Sequence, residues 1–133
     1  MPHSANFKMD GKESNVLAFS YDFSRNIEEN GRVSARVRKG LISITLASDD
    51  KHKEAILNWM AKPDQAKEGE LVIFADDEKK TALKTIKFEN GFVISYREDY
   101  MDGNNANVRE TFTISSEKIT IGSAAFDFKW PKA

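Results

Sequence analysis

The stretch Asn15–Leu46, NVLAFSYDFSRNIEENGRVSARVRKGLISITL, decides the fold. It opens on an alternating run in which Leu17, Phe19, Tyr21 and Phe23 point one way and Ala18, Ser20, Asp22 and Ser24 the other. A period of two marks a strand with one buried face. The stretch closes on a second such run, Ile42, Ile44 and Leu46 against Ser43 and Thr45. Between them Arg25–Gly40 has no helical periodicity and only Ile27 as a large apolar residue. Links of that length are uncommon in compact domains and are mostly functional or disordered. In its second half Val33, Ala35 and Val37 alternate with Ser34, Arg36 and Arg38, so this part is able to pair as a strand. The segment carries Arg25, Arg32, Arg36, Arg38 and Lys39 against Glu28 and Glu29, a net +3; the whole chain is −1, which leaves −4 for the rest. A basic arm on an acidic body suits self-association, because like copies offer each other complementary patches. The competing reading is a solvated loop.

Outside this stretch the bulk properties set limits. A chain of 133 residues has room for a single core, so residues 1–133 are read as one domain with Met1–Ala5 as a loose lead-in. Apolar residues at 40% and charged residues at 31% describe an ordinary globular domain. Net charge near zero gives no reason to expect a nucleic acid or an anionic membrane as partner. The absence of cysteine excludes disulfides, thiolate metal sites and thiol nucleophiles. The N-terminal residues MPHSANFKMDGK show no apolar signal core, and no run approaches the roughly 18 apolar residues of a membrane span. A protein made in the cytoplasm, leaving if at all by a route that reads no such signal, is the expectation.

Taken in order, Asn6–Met9 reads as a strand closed by the hairpin dipeptide Asp10-Gly11. After Leu41–Ala47, the residues Ser48, Asp49 and Asp50 offer helix caps, and Ala55, Ile56, Trp59 and Met60 share one helical face. Pro63 stops that helix. Glu70–Ala75 is apolar on both faces and reads as central. Thr81–Glu89 and Phe92–Tyr100 flank Asn90-Gly91, a second hairpin signal, with Phe92, Ile94 and Tyr96 sharing a face. Val108–Ser115 alternates, and Lys118–Ile121 and Ala124–Trp130 finish the chain. The expected architecture is mainly β: a barrel or two-sheet sandwich of about eight strands, one short helix near residues 50–61 packed outside, and a long arm over about 25–40.

Two surface features stand out. The non-core faces carry small neutral hydroxyls, among them Ser20, Ser24, Ser43, Thr45, Thr111, Thr113 and Ser115, which suit a smooth wet surface or a strand-to-strand contact. Thr also favours strands for its own sake. The arm residues Arg25, Glu28, Glu29, Arg32, Val33, Ala35, Arg36, Val37, Arg38 and Lys39 form the candidate contact segment.

No catalytic constellation emerges, and no cofactor or metal is expected. His3 and His52 have no partners at metal-ligand or triad spacing. The carboxylate pairs Asp49/Asp50, Asp76/Asp77 and Glu98/Asp99 sit at turns or strand ends. Asp102-Gly103-Asn104-Asn105 begins like a calcium loop but lacks its later ligands. Tyr100, Phe126, Phe128 and Trp130 are a possible stacking platform. A stand-alone sandwich holding a small or carbohydrate ligand on Tyr100 and Trp130 is therefore the alternative to an assembly role.

The run MDGKESNVLAFSYDFSRNIEENGRVSARVRKGLISITL resembles the start of the tube protein of type VI secretion systems, the haemolysin-coregulated protein (Hcp, or TssD) family, in its Bacteroidetes-type branch. The likeness continues through Asn58-Trp59-Met60, IKFENGFVISY (Ile86–Tyr96), TFTISSEKITI (Thr111–Ile121) and Lys129-Trp130-Pro131. Where the family's arm often reads GRP, this chain has Gly31-Arg32-Val33. The resemblance implies a β-barrel subunit, not an enzyme. It implies six-membered rings stacked into a tube that a contractile sheath expels, with sheath, baseplate and spike proteins as partners and effector proteins as cargo. It makes the arm a contact to a neighbouring subunit or ring, and the Ser/Thr faces candidates for the lumen.

Overall fold

Two dipeptides of the same chemistry take different paths and between them shape the barrel. At Asp10-Gly11 both residues adopt positive φ, 56° and 74°, the requirement of a tight hairpin turn. They join β1 (His3–Met9) to β2 (Lys12–Ile27), with Met9 opposite Lys12. At Asn90-Gly91 only Asn90 turns, at φ 58°, so the chain kinks instead of reversing. The expected hairpin is thereby replaced by one continuous strand, β5 (Ala82–Met101). Gly91 is required by space, since a Cβ there would lie 2.8 Å from Phe88 Cδ1 and 3.1 Å from Ile114 Cγ2. The facing strand, β6 (Asn107–Ile121), bends at the same level. There Ser116 Oγ lies 2.6 Å from the Glu89 carbonyl, and Asn90 Nδ2 donates to Glu117 Oε1 at 2.9 Å. Val108–Ser115 and Lys118–Ile121, expected as two strands, are accordingly one bent strand.

The computed structural model describes residues 3–47, 54–75, 81–102 and 107–128. The remaining elements are β3 (Val33–Ala47), α1 (Ala55–Ala61), β4 (Lys67–Ala75) and β7 (Ala124–Asp127), giving seven strands and one helix among the described residues. All pairings are antiparallel. The order β3-β2-β1-β4-β5-β6-β7 is closed by a β3–β6 ladder, so β1 to β6 form a barrel and β7 hangs on β6. Each bent strand serves two sides of this barrel: β5 pairs with β4 before Gly91 and only with β6 after it.

The core holds Phe7, Met9, Val16, Ile42, Ile44, Leu46, Leu71, Ile86, Phe88, Val93, Phe112, Ile114 and Ile119. Phe7 stacks on Phe88 and meets Phe112 edge-on at 5.7 Å. The helix closes one side with Ile56 and Trp59, both fully buried, and burial of such side chains contributes a few kcal/mol at about 25 cal/mol per Å². The Trp59 indole N–H lies 3.0 Å from the Gln65 carbonyl and 3.2 Å from that of Gly91, which ties the helix to the kink in β5. Met60, expected beside them, points out. The cap residues Ser48, Asp49 and Asp50 lie outside the described residues.

Two bulges correct the faces expected from simple alternation. A register shift between Val16 and Ala18 turns Leu17 to solvent and puts Val16 in the core. Another between Val93 and Ser95 does the same for Ile94 and Val93. Each inserted residue reverses the parity of the strand at that point.

Candidate assembly surfaces

The hydroxyl residues come together on one sheet. Its four strands are β2, β3, β6 and the second half of β5, in that order. Ser20 pairs with Ser43, Ser43 with Thr113, and Thr113 with Ser95, so one row of hydroxyls crosses all four strands. The next row runs Ala18, Thr45, Thr111, Arg97, and on the other side Leu41 pairs with Ser115. Ser43 and Thr113 share a hydrogen bond of 3.1 Å, as do Thr45 and Thr111. These two hydroxyl pairs satisfy each other and make the middle of the face low and uncharged, and Arg97 at the end of the second row is paired with Asp99 at 3.0 Å. Ser95, the fourth member of the row, faces away from Tyr96 as alternation along β5 places it, and escapes a reading of the sequence only because it stands alone among larger side chains.

Both outer edges of this sheet are open among the described residues. The ladder of β2 to β1 spans only Lys12–Asn15, so β2 has no strand on that side from Val16 onward. The ladder of β4 to β5 ends at Gly91, so 93–101 have none either. Leu17 and Ile94, each about half exposed, sit on these two edges.

The arm is a β-hairpin built by the continuation of both strands. Ser24 pairs with Arg38, Arg25 with Val37 and Ile27 with Val33. Its tip is a short loop: Glu28 N–H donates to the Arg32 carbonyl at 2.7 Å and Gly31 N–H to the Glu28 carbonyl at 2.9 Å. Gly31 takes φ 84° there, which glycine adopts without strain. Ile27 and Val33 are largely exposed, as are Arg25, Glu28, Glu29 and Arg32. The side chains of Ala35, Arg36, Arg38 and Lys39 lie outside the described part, although their backbone belongs to β3. Phe23 fixes the root of the hairpin. It lies over Gly40, where a Cβ would come within 2.5 Å of its ring, and stacks on Phe126 at 4.2 Å and Phe128 at 6.2 Å. Phe126 and Phe128 are thereby committed to packing and offer no stacking platform.

At the opposite end of the sheet Tyr96, Glu98 and Tyr100 share a face with Glu110 and Val108. The Tyr96 hydroxyl lies 3.0 Å from Glu110 Oε1 and 3.2 Å from Glu98 Oε2. Glu110 is buried, whereas Tyr100 is 68% exposed. The Tyr96 phenol is held above its usual pKa, first by burial, then by the hydrogen bond and charge of Glu110 and by Glu98. Glu98 and Asp99 look to opposite faces, Asp99 pairing with Arg97 at 3.0 Å, so they make no acid–base pair. Asp49, Asp50, His52, Asp76, Asp77, the start of the calcium-like loop beyond Asp102, and Trp130 lie outside the described residues. Among the described residues no three His, Cys, Asp or Glu side chains are grouped to hold a metal.

A hydroxyl-rich sheet with two edges open among the described residues and a rooted hairpin suits a subunit that pairs with other copies. The family model for "Hemolysin coregulated protein Hcp (TssD)" matches residues 1–131. Hcp1 from Flavobacterium johnsoniae superposes with a TM-score of 0.82 at 29% identity, covering 93% of this chain and 98% of that one. Hcp1 from Salmonella typhimurium gives 0.71 at 18% identity, with 97% of each chain covered. The tube-terminating cap of the anti-feeding prophage shares the fold at 0.59 and 16% identity, over 90% of this chain and 88% of that one. No curated protein matches the sequence. The chain belongs to the Hcp (TssD) family and is a tube subunit of a type VI secretion system. Tube proteins of this family are structural, form rings and are secreted by that system. No described helix is long and apolar enough to cross a membrane.

Proposed function

We propose that this chain forms the tube wall by closing its hydroxyl sheet around a lumen, with Ser20, Ser43, Thr45, Thr111, Thr113 and Ser115 facing the cargo. The observation that carries this reading is the pair of open edges on β2 and β5. In the order β2-β3-β6-β5 the two edge strands run in opposite directions. A neighbour's β5 laid against β2 therefore continues the antiparallel sheet by main-chain hydrogen bonds. The same contact repeated by rotation closes a ring. It also covers Leu17 and Ile94. Following the family, six copies make the ring. The arm residues Arg25, Glu28, Glu29, Arg32, Val33, Ala35, Arg36, Val37, Arg38 and Lys39 reach the next ring.

The tube is assembled in the cytoplasm, carries effector proteins, and is expelled by the sheath with its baseplate and spike, without a signal peptide. Its role is mechanical, with no reaction of its own and no cofactor. Multi-angle light scattering and negative-stain microscopy test the ring. Closed multimers are expected for the native chain, and folded monomers for Leu17→Lys combined with Ile94→Lys. A native chain that stays monomeric over a wide concentration range, with a ligand-dependent Tm, would favour a stand-alone binding module instead.

A further inference from the structure

We propose that the seat of the arm is the far end of the neighbouring copy's hydroxyl sheet, where Tyr100 stands exposed beside Glu98 and Asp102. The inference rests on the tube reading and names the surface that the arm meets. Its basis is topological. The arm leaves the sheet beyond Asp22 and Leu41, while Ala47, Arg109 and Asp99 lie at the other end of the same strands. Rings that repeat along an axis without limit present opposite ends to each other, so one copy's arm faces the next copy's β5–β6 end.

The two ends are complementary in charge. The arm is +3, whereas the exposed charges over 97–110 are Glu98, Asp99 and Asp102 against Arg97 and Arg109, a net −1, and with Arg97 and Asp99 paired to each other Glu98 and Asp102 are left to the arm. The outer face of the other sheet offers no such attraction: Glu13, Lys8, Glu70 and Lys87 follow one another across β2, β1, β4 and β5 and cancel. Tyr100 supplies what a purely acidic rim lacks. Its ring is 68% exposed on the face that Glu98 and Glu110 share, beyond the reach of the core. An arginine laid on that ring gains a cation–π contact in addition to its carboxylate partner. Ile27 and Val33, exposed at the hairpin tip, gain an aromatic surface to cover them.

A photo-crosslinking residue at Ile27 in the full-length chain, followed by mass spectrometry of assembled material, tests the seat. Adducts on 98–102 of another copy are expected. Adducts on another surface of a second copy would overturn the seat and leave the arm reading standing; no adduct between copies would overturn both. As a second readout, Arg32→Glu should lower the crosslinked fraction several-fold, and Glu98→Arg in the same chain should restore it. Equal yields in all three chains would reject the charge pairing that defines the seat.

Discussion

Replacing Gly40 by alanine probes how the arm is aimed. An ideal Cβ at position 40 lies 2.5 and 2.6 Å from two ring carbons of Phe23 and 2.8 Å from the Asp22 carbonyl oxygen. All are inside contact distance, so the ring must leave its place and the strands must part slightly. Overpacking of this kind costs about 1–3 kcal/mol. Loss of glycine's freedom in the unfolded chain offsets about 0.4–1 kcal/mol of it. The net expectation is a destabilisation of about 1–2 kcal/mol, or a fall in Tm of roughly 3–10 °C for a domain of this size. Urea unfolding at fixed protein concentration measures it, since ring formation is linked to apparent stability. Phe23→Ala provides the control. It removes two of the three close contacts, so Gly40→Ala should cost about 1 kcal/mol less in that background. Because Phe23 stacks on Phe126, displacement of its ring should also loosen the hairpin and weaken contact between rings while rings persist. A neutral Gly40→Ala, or the same cost in both backgrounds, would refute the reasoning.

Trp59→Phe removes the indole N–H that reaches both Gln65 and Gly91, and is expected to cost about 2–3 kcal/mol by denaturant unfolding. Tyr96→Phe leaves buried Glu110 without that donor and should cost about 1–3 kcal/mol. The Tyr96 phenol also sets an alkaline limit. Its folded pKa is raised, so its contribution is complete below the unfolded value of about 10 and is lost as pH climbs from there towards the folded value. Stability measured across that range should fall in the native chain and less steeply in Tyr96→Phe. Thr45→Val breaks a hydroxyl pair on a wet face, where water replaces the lost partner, and should cost less than about 1 kcal/mol. Raising salt to 1 M shortens the screening length to about 3 Å, so contact between rings through the arm should weaken while rings closed by main-chain bonds survive; sedimentation separates the two species.

Much of this was legible because burial imposes a period of two on each strand. Ile42, Ile44 and Leu46 face the core, and Ser43 and Thr45 face out, as their alternation requires. The readings fail where one residue is added to that count. Leu17 and Ile94 sit at bulges, and nothing in the local sequence separates them from the core residues they resemble. The kink at Asn90 eludes a local reading for a related reason. Whether Asn-Gly reverses the chain depends on φ at the glycine, and here Ile114 of β6 and Phe88 of the same strand leave no room for a side chain at Gly91. The arm presents a third kind of difficulty. Phe23 and Gly40 are seventeen residues apart in sequence and become neighbours only once β2 and β3 pair. The hydroxyl row is likewise a product of pairing: Ser43 and Thr113 lie seventy residues apart, and each alone is an ordinary strand residue.

If the sheet lines a lumen as proposed, its central rows of hydroxyls answer to repetition. In a ring every side chain recurs in every copy, and in a stack it recurs again at every level. One lysine on the face would become a column of like charges along the lumen, and oppositely charged cargo would be held at each step. On the proposed lumen face Ser20, Ser43, Thr45, Thr111 and Thr113 carry no charge, the bonds between Ser43 and Thr113 and between Thr45 and Thr111 occupy donors that would otherwise be offered to cargo, and Arg97 beside them is neutralised by Asp99. Charge is kept for the ends of the strands, where repetition is useful. In the proposed stack a positive arm meets a negative end once per copy, and the number of such contacts grows with the length of the tube. In that assembly, alternation along four strands is enough to separate the tasks: one face for the core, one for passage, the edges for the ring and the ends for the stack.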